Sequence, residues 1–370
     1  MSKRMLIVTI CCDVDPDVVG YNIPATRFDV YKEKLGWKGI ENIPKIREIC
    51  NSVEDSESNN LKITWHIRSD AQLKTIFNDY AYPLRNFQDL WRELEQQGDE
   101  IGWHPHLWRW SKQNKCWYQE VSDKEWICHC LENGHKEFLK LHPNLTSIRM
   151  GWAFHNNFTM KIVNDLGLTV DLSASPGLKY EGSPDERGSH FLNEYDWSLT
   201  TETPYHPSKD DYRRPAKDNE QSLSILEIPL TTHTKTLIKI LFEEIAALAP
   251  LAAKRRVIKG WSLQSKRVQR KFVANVTNTS FKILAEQKFK EVKRNPEFNT
   301  NLIAQFHPIE LFKPNGFLIF QNNLKTLRDM SKRLAVPLRF LTATQMAEKL
   351  TEMSITKSSL GHEKWFPENI

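Results

Sequence analysis

Short runs of apolar and β-branched residues, each of strand length, recur along this chain with helix-period segments between them. That alternation is the pattern of repeated β/α units. The runs that fit strands are residues 6–12, 62–67, 100–104, 147–150, 168–172, 225–229, 302–307 and 338–342. Helical periodicity falls at 43–53, 72–78, 87–97, 126–141, 157–166 and 324–334. Gly167 stands at the position after a helix end that favours a left-handed residue, and Ser122 with Glu125 has the spacing of a capping box. Two regions interrupt the rhythm. Residues 173–219 are rich in Pro, Gly, Tyr and charge and too long for an ordinary connection, so they are expected to cover or line a site. Residues 234–295 are expected to form a mostly helical insertion.

Composition widens the choice before it narrows it. With 370 residues, 40% of them hydrophobic, the chain can bury a large core, and one α/β barrel with insertions fits as well as two modest domains. A formal charge of +5 is small for this size, so no nucleic-acid partner is expected. The positive charge is local: Lys254, Arg255, Arg256, Lys259, Lys266, Arg267, Arg270 and Lys271 occur with no acidic residue among them. They make either a solvated helical face or a contact surface for anionic lipid or a phosphorylated glycan.

The apolar run after Lys3-Arg4 ends at Asp13, Asp15 and Asp17 with no small-residue cleavage site, so it reads as a first strand rather than a signal peptide. The most apolar later stretch, residues 237–253, holds Lys239, Glu243, Glu244 and Pro250 and does not suit a bilayer span. A cytoplasmic protein is expected, peripheral to the membrane if the basic stretch contacts lipid. Six cysteines in a chain this long do not form a disulfide framework. Cys128 and Cys130, two apart on a helix, point to nearly opposite sides and do not share a metal.

In alternating β/α folds the polar residues at the carboxyl ends of strands build the site. That rule selects Asp13, Asp15, His66, His104, His106, Arg149, Asp171 and His307. Asp13 and Asp15 lie on the same side of a strand, and crowded carboxylates call for a cation. An EF-hand loop fails, because Val18 and Pro24 stand where glycine and glutamate are needed. His104 and His106, at strand spacing, converge on one ion or end a hydrogen-bonded loop. With one carboxylate they form an open N, N, O set, which suits a catalytic metal. His66 and Arg68 end the second strand, where they contact substrate or salt-bridge within the loop. Trp103 and Trp152 flank the motifs and either stack on sugar rings or pack in the core.

As an ordered set, Asp-x-Asp after the first strand, His-x-His after the third, an arginine after the fourth and His-Pro after a late strand resemble the polysaccharide deacetylase superfamily. These are the carbohydrate esterases with a chitooligosaccharide-deacetylase homology domain, and the likeness is greatest to divergent members associated with surface glycans. It runs from Leu6 to about Met346. The resemblance implies an irregular (β/α) barrel of about seven parallel strands, residues 1–370 forming one domain, with 173–219 as an active-site loop and 234–295 as a basic helical insertion.

It further implies a divalent metal, Zn²⁺ first, held by Asp15, His104 and His106. The family's second histidine lies four residues after the first, where this chain has Trp108, so His106 substitutes. By position Asp13 is the general base, Arg149 its partner and His307 the general acid, with Asp171 or Asp196 supporting it. Together with His66, Arg68, Trp103 and Trp152, these last two aspartates are expected to contact a carbohydrate. The implied reaction removes an N-acetyl group from a sugar of a surface polysaccharide or lipopolysaccharide precursor. The alternatives are hydrolysis of another non-peptide C–N bond in a small molecule, or a glycan- or membrane-binding barrel that has lost the reaction.

Overall fold

The computed structural model describes residues 4–17, 36–113, 116–180, 195–234, 271–294 and 300–359. In chain order the elements are β1 (Leu6–Val14), α1 (Ile43–Asn51), β2 (Ile63–Arg68), α2 (Ala71–Phe77), α3 (Gln88–Gln96), β3 (Glu100–His104) and the strands β4 (Trp108–Ser111) and β5 (Cys116–Gln119). There follow α4 (Lys124–Leu139), β6 (Ser147–Ile148), α5 (Asn157–Asp165), β7 (Val170–Asp171), β8 (Lys179–Tyr180), β9 (Tyr195–Asp196), β10 (Leu226–Glu227) and β11 (Thr232–Thr234). The chain closes with β12 (Lys271–Val273), α6 (Phe281–Arg294), β13 (Thr300–Phe306), α7 (Gly316–Leu334), β14 (Leu338–Phe340) and α8 (Ala343–Ser359). A parallel sheet in the order β10-β7-β6-β3-β2-β1-β13 curls into a half-barrel, with β14 pairing the first residues of β1. Every apolar run expected to form a strand lies in this sheet.

The pleat of β1 explains where the chemistry falls. Its residues are all buried, but alternate ones join different clusters: Leu6, Val8, Ile10, Cys12 and Val14 face the helices. Ile7 and Cys11 face inward with Val170, Leu172, Ile228, Leu230 and Ile303. Each such aliphatic side chain contributes about 1.5–3 kcal/mol on burial. The inward row continues through Asp13 towards Asp15, so the period of two delivers both carboxylates to the same end of the lumen.

At the opposite end α8 forms a floor. Ala343 and Met346 join the inward cluster, while the Ala343 and Thr344 amides donate to Thr64 Oγ1 and Glu100 Oε2, both at 2.9 Å. The open side between β10 and β13 is stitched by single segments. Thr231 N–H donates to Ile303 O (2.9 Å), Ala274 N–H to Thr231 O (2.7 Å) and Gln305 N–H to Ala274 O (2.9 Å). Residues 271–294 are therefore barrel wall rather than insertion, and α6 buries Phe281, Leu284 and Phe289 in the main core. The basic positions 254–270 lie outside the described residues.

Among the helices the expectations differ from the structure mainly at boundaries. α4 is capped by Asp123, which accepts the Trp126 amide at 3.1 Å, and not by Ser122, whose hydroxyl is turned to Glu120. α7 starts well before the expected 324, because exposed Leu318 spoils the periodicity of its first turn. Gly167 has φ +87°, the left-handed conformation that the end of α5 requires. Cys130 is buried, whereas Cys128 is part-exposed and donates to Glu132. Among the described residues no helix is long and apolar enough to cross a membrane.

Candidate active site and metal centre

The carboxyl ends of β1, β3, β6 and β13 meet around Asp13. Arg149, just after β6, places Nε 2.8 Å from both Asp13 oxygens, while Nη1 donates to Leu172 O at 2.7 Å and Nη2 to Gln305 Oε1. Burial alone would raise the Asp13 carboxyl, but the Arg149 guanidinium, helped by His104 and His307, outweighs it and holds the group at about 2. His307 follows β13 with Nε2 3.7 Å from Asp13 Oδ2 and 3.6 Å from Asp15 Oδ2. Its Nδ1 faces Glu310 Oε1 at 3.8 Å. Burial would lower His307, yet the Glu310 bond and the charges of Asp13 and Asp15 prevail and push it up to about 9.

A second group adjoins the first. Asp15 Oδ2 is 3.7 Å from His104 Nε2, Asp15 Oδ1 is 3.5 Å from His106 Nε2, and the two Nε2 atoms are 3.1 Å apart. Ligand atoms of the three residues all lie within 4.8 Å of one another. His104 Nδ1–H donates to Arg149 O at 2.6 Å, which orients the ring with Nε2 towards Asp15 and His106. His106 is pushed down to about 4, by burial first and then by Arg68, so it is a neutral imidazole. Two imidazole nitrogens and one carboxylate fit a divalent ion such as Zn²⁺. Trp108, where the family's second histidine stands, stacks on His106 at 6.0 Å between ring centroids.

No family model and no curated protein matches the sequence. Solved structures do match in fold. A Mycobacterium smegmatis protein described as a polysaccharide deacetylase superposes with a TM-score of 0.50 at 12% identity, over 95% of this chain and 92% of its own. A Parabacteroides distasonis protein described as a glycoside hydrolase/deacetylase gives 0.54 at 14%, over 94% and 71%. This chain has the polysaccharide deacetylase fold. The Puue allantoinase shares it, with a TM-score of 0.50 at 10% identity over 94% of this chain and 90% of its own. At these identities the likeness is one of fold.

Within the deacetylase fold the remaining expected residues separate. Arg68 adjoins Asp15 at 3.2 Å, and Trp152 lies on the rim, its ring 6.2 Å from Trp108. Trp152 and Ala153 both have positive φ (57° and 54°), a conformation that costs free energy in non-glycine residues and tends to mark functional turns. His66 is in the lumen but fully buried, pushed down to about 3 by burial, and out of reach of a substrate.

Three expectations are corrected. Trp103 is fully buried, its indole donating to Ser69 O at 2.9 Å, so it packs rather than stacks on sugar. Asp171 pairs in register with Ile148, which puts it on the helix-covered side of the sheet. There it meets His155 Nε2 at 2.9 Å, and the Glu227 carboxyl beside it is raised well above its ordinary value by burial and by the Asp171 charge. Asp196 is engaged by Arg213 at 2.8 Å and by Ser198 in the β8–β9 region. The described part of the long loop packs on the turn after β6: Trp197 donates to Ala153 O at 2.7 Å and Tyr212 N–H to Asn157 Oδ1 at 3.0 Å. Glu310, not Asp171 or Asp196, is the carboxylate behind His307. A cavity of about 830 Å³ lies away from this centre, at the amino ends of β1 and β14, lined by Arg4, Ser56, Lys293, Arg328 and Leu338.

Proposed function

We propose that this chain is a metal-dependent hydrolase that removes the N-acetyl group from a sugar of a surface polysaccharide or lipopolysaccharide precursor. One observation carries the reading. A buried carboxylate clamped by arginine, an N, N, O donor set and an imidazole backed by a second carboxylate converge at the open end of the half-barrel. Asp15, His104 and His106 would hold the ion. When bound, a divalent cation supplies Lewis-acid chemistry towards an amide carbonyl and towards water.

The chain's own residues do the rest. Asp13, ionised and held by Arg149 Nε, accepts the proton of the attacking water at a carboxylate oxygen. Arg149 keeps that oxygen oriented, and its own position is fixed by Leu172 O. His307 donates from Nε2 to the departing amine, with Glu310 behind its Nδ1. Without that proton the amine is a poor leaving group and the addition reverses. Part-exposed Trp110 and Trp152 on the rim offer faces for a sugar ring.

Purified protein and its His104→Ala and His307→Ala variants, assayed for bound metal and for amine released from N-acetylated oligosaccharides, test this. His104→Ala is expected to lose metal and activity, and His307→Ala to keep metal and lose turnover. Normal deacetylation by His104→Ala would overturn the assignment. The allantoinase of the same fold favours a second reading, hydrolysis of another C–N bond in a small molecule, which product analysis separates from the first.

A further inference from the structure

β2 ends on Arg68, whose side chain is only 4% exposed and makes directed contacts with three groups. Nε meets Asp70 Oδ2, Nη2 meets Gln72 Oε1 at 2.9 Å, and Nη1 meets Asp15 Oδ1 at 3.2 Å. The first two hold the guanidinium in place. Asp70 is itself fixed, because its Oδ1 caps α2 through the Gln72 and Leu73 amides (3.0 and 3.2 Å) and its Oδ2 accepts the His106 amide at 3.3 Å. The third contact gives a permanent positive charge to the one carboxylate of the donor set. An ion entering between Asp15, His104 and His106 therefore meets a fixed like charge on the carboxylate of that donor set. Inside a protein that repulsion is weakly screened.

We propose that Arg68 is a resident counter-ion for Asp15 that competes with the metal, so that the centre binds its divalent ion weakly and reversibly and stays assembled without it. This rests on the metal reading given above. Arg68 occupies Oδ1 and leaves Oδ2 directed to His104 and His307, so the carboxylate is neither buried uncompensated nor free to swing away when no ion is bound.

Zinc titrated into metal-stripped full-length protein against a competing chelator tests the proposal with no reference to activity. Arg68→Lys keeps the charge. The double change Arg68→Met with Asp70→Asn removes both charges while leaving α2 a side-chain cap, and Arg68→Gln is a second neutral variant should the first fail to fold. The neutral variants are expected to bind zinc roughly tenfold or more tightly than wild type, and Arg68→Lys to stay close to wild type. Their melting temperature should also rise further on adding zinc than that of wild type. Folded neutral variants that bind no tighter than wild type overturn the role of Arg68 alone. Absence of zinc binding in wild type and neutral variants alike overturns the metal reading beneath it.

Discussion

The imidazole of His106 lies against the α-carbon of Gly151: a β-carbon built there falls 2.2 Å from His106 Cδ2 and 2.3 Å from Cγ. Gly151 N–H also donates to Pro105 O at 2.8 Å, so neither segment can retreat cheaply. Gly151→Ala is expected to displace the ring and weaken metal binding roughly 10–100-fold, the range of second-shell losses. Chelator competition reads the affinity and circular dichroism the fold. A folded variant with unchanged affinity would show that His106 is not a ligand.

Arg149 and Asp13 are both buried, so removing one charge strands the other. Arg149→Met should cost about 3–5 kcal/mol in urea unfolding, and more than the double change of Arg149→Met with Asp13→Asn, which removes both charges. Equal losses would mean that the pair is held by something other than mutual charge.

His307 and Glu310 should separate turnover from metal binding. His307→Gln is expected to lower kcat by about 10²–10⁴-fold with metal content unchanged, and Glu310→Gln to lower it less, since Glu310 acts through Nδ1. Loss of metal in the Glu310 variant would contradict this division.

Glu120 offers a stability test away from the proposed metal centre. Burial would raise its carboxyl, but the amides of Asp123 and Ser122, the Ser122 hydroxyl and the Arg109 guanidinium prevail and lower it from 4.5 to about 2. A folded-state value below the unfolded one stabilises the protein fully above pH 4.5, and that contribution disappears as the pH falls towards 2. Glu120→Gln should therefore lower the melting temperature near neutral pH and converge with wild type in acid. A constant difference across melting curves would rule out the ionised carboxylate as the source.

The strands were legible because parallel strands buried on both faces read as unbroken apolar runs. The rule that chemistry gathers at their carboxyl ends placed Asp13, Asp15, His104, His106, Arg149 and His307 together. What stayed hidden has physical reasons. Asp171 sits on a two-residue strand, too short for its own pattern to reveal which face it takes, and only pairing with Ile148 decides. Gly102 and Gly151 carry no mark of the rings they admit. A β-carbon at Gly102 would fall 2.6 Å from both His66 Cδ2 and Ser147 Oγ. Glu310 does have a signal in the sequence, since His-Pro-x-Glu has helix-capping spacing and puts a carboxylate one turn from the imidazole. Residues 271–294 looked like the tail of an insertion because α6 is amphipathic in the ordinary way and nothing local shows that Ala274 to Val276 stitch onto β13.

Thr234 and Lys271 are ladder partners in the β11–β12 pair, so the chain leaves the barrel wall and returns to it at a single doorway. The same pairing sets the stitches from Thr231 to Ala274 and from Ala274 to Gln305. That short ladder is thus the clasp of the half-barrel: a slip of one residue in its register would move Ala274 off Gln305 and loosen the edge strand that leads into His307.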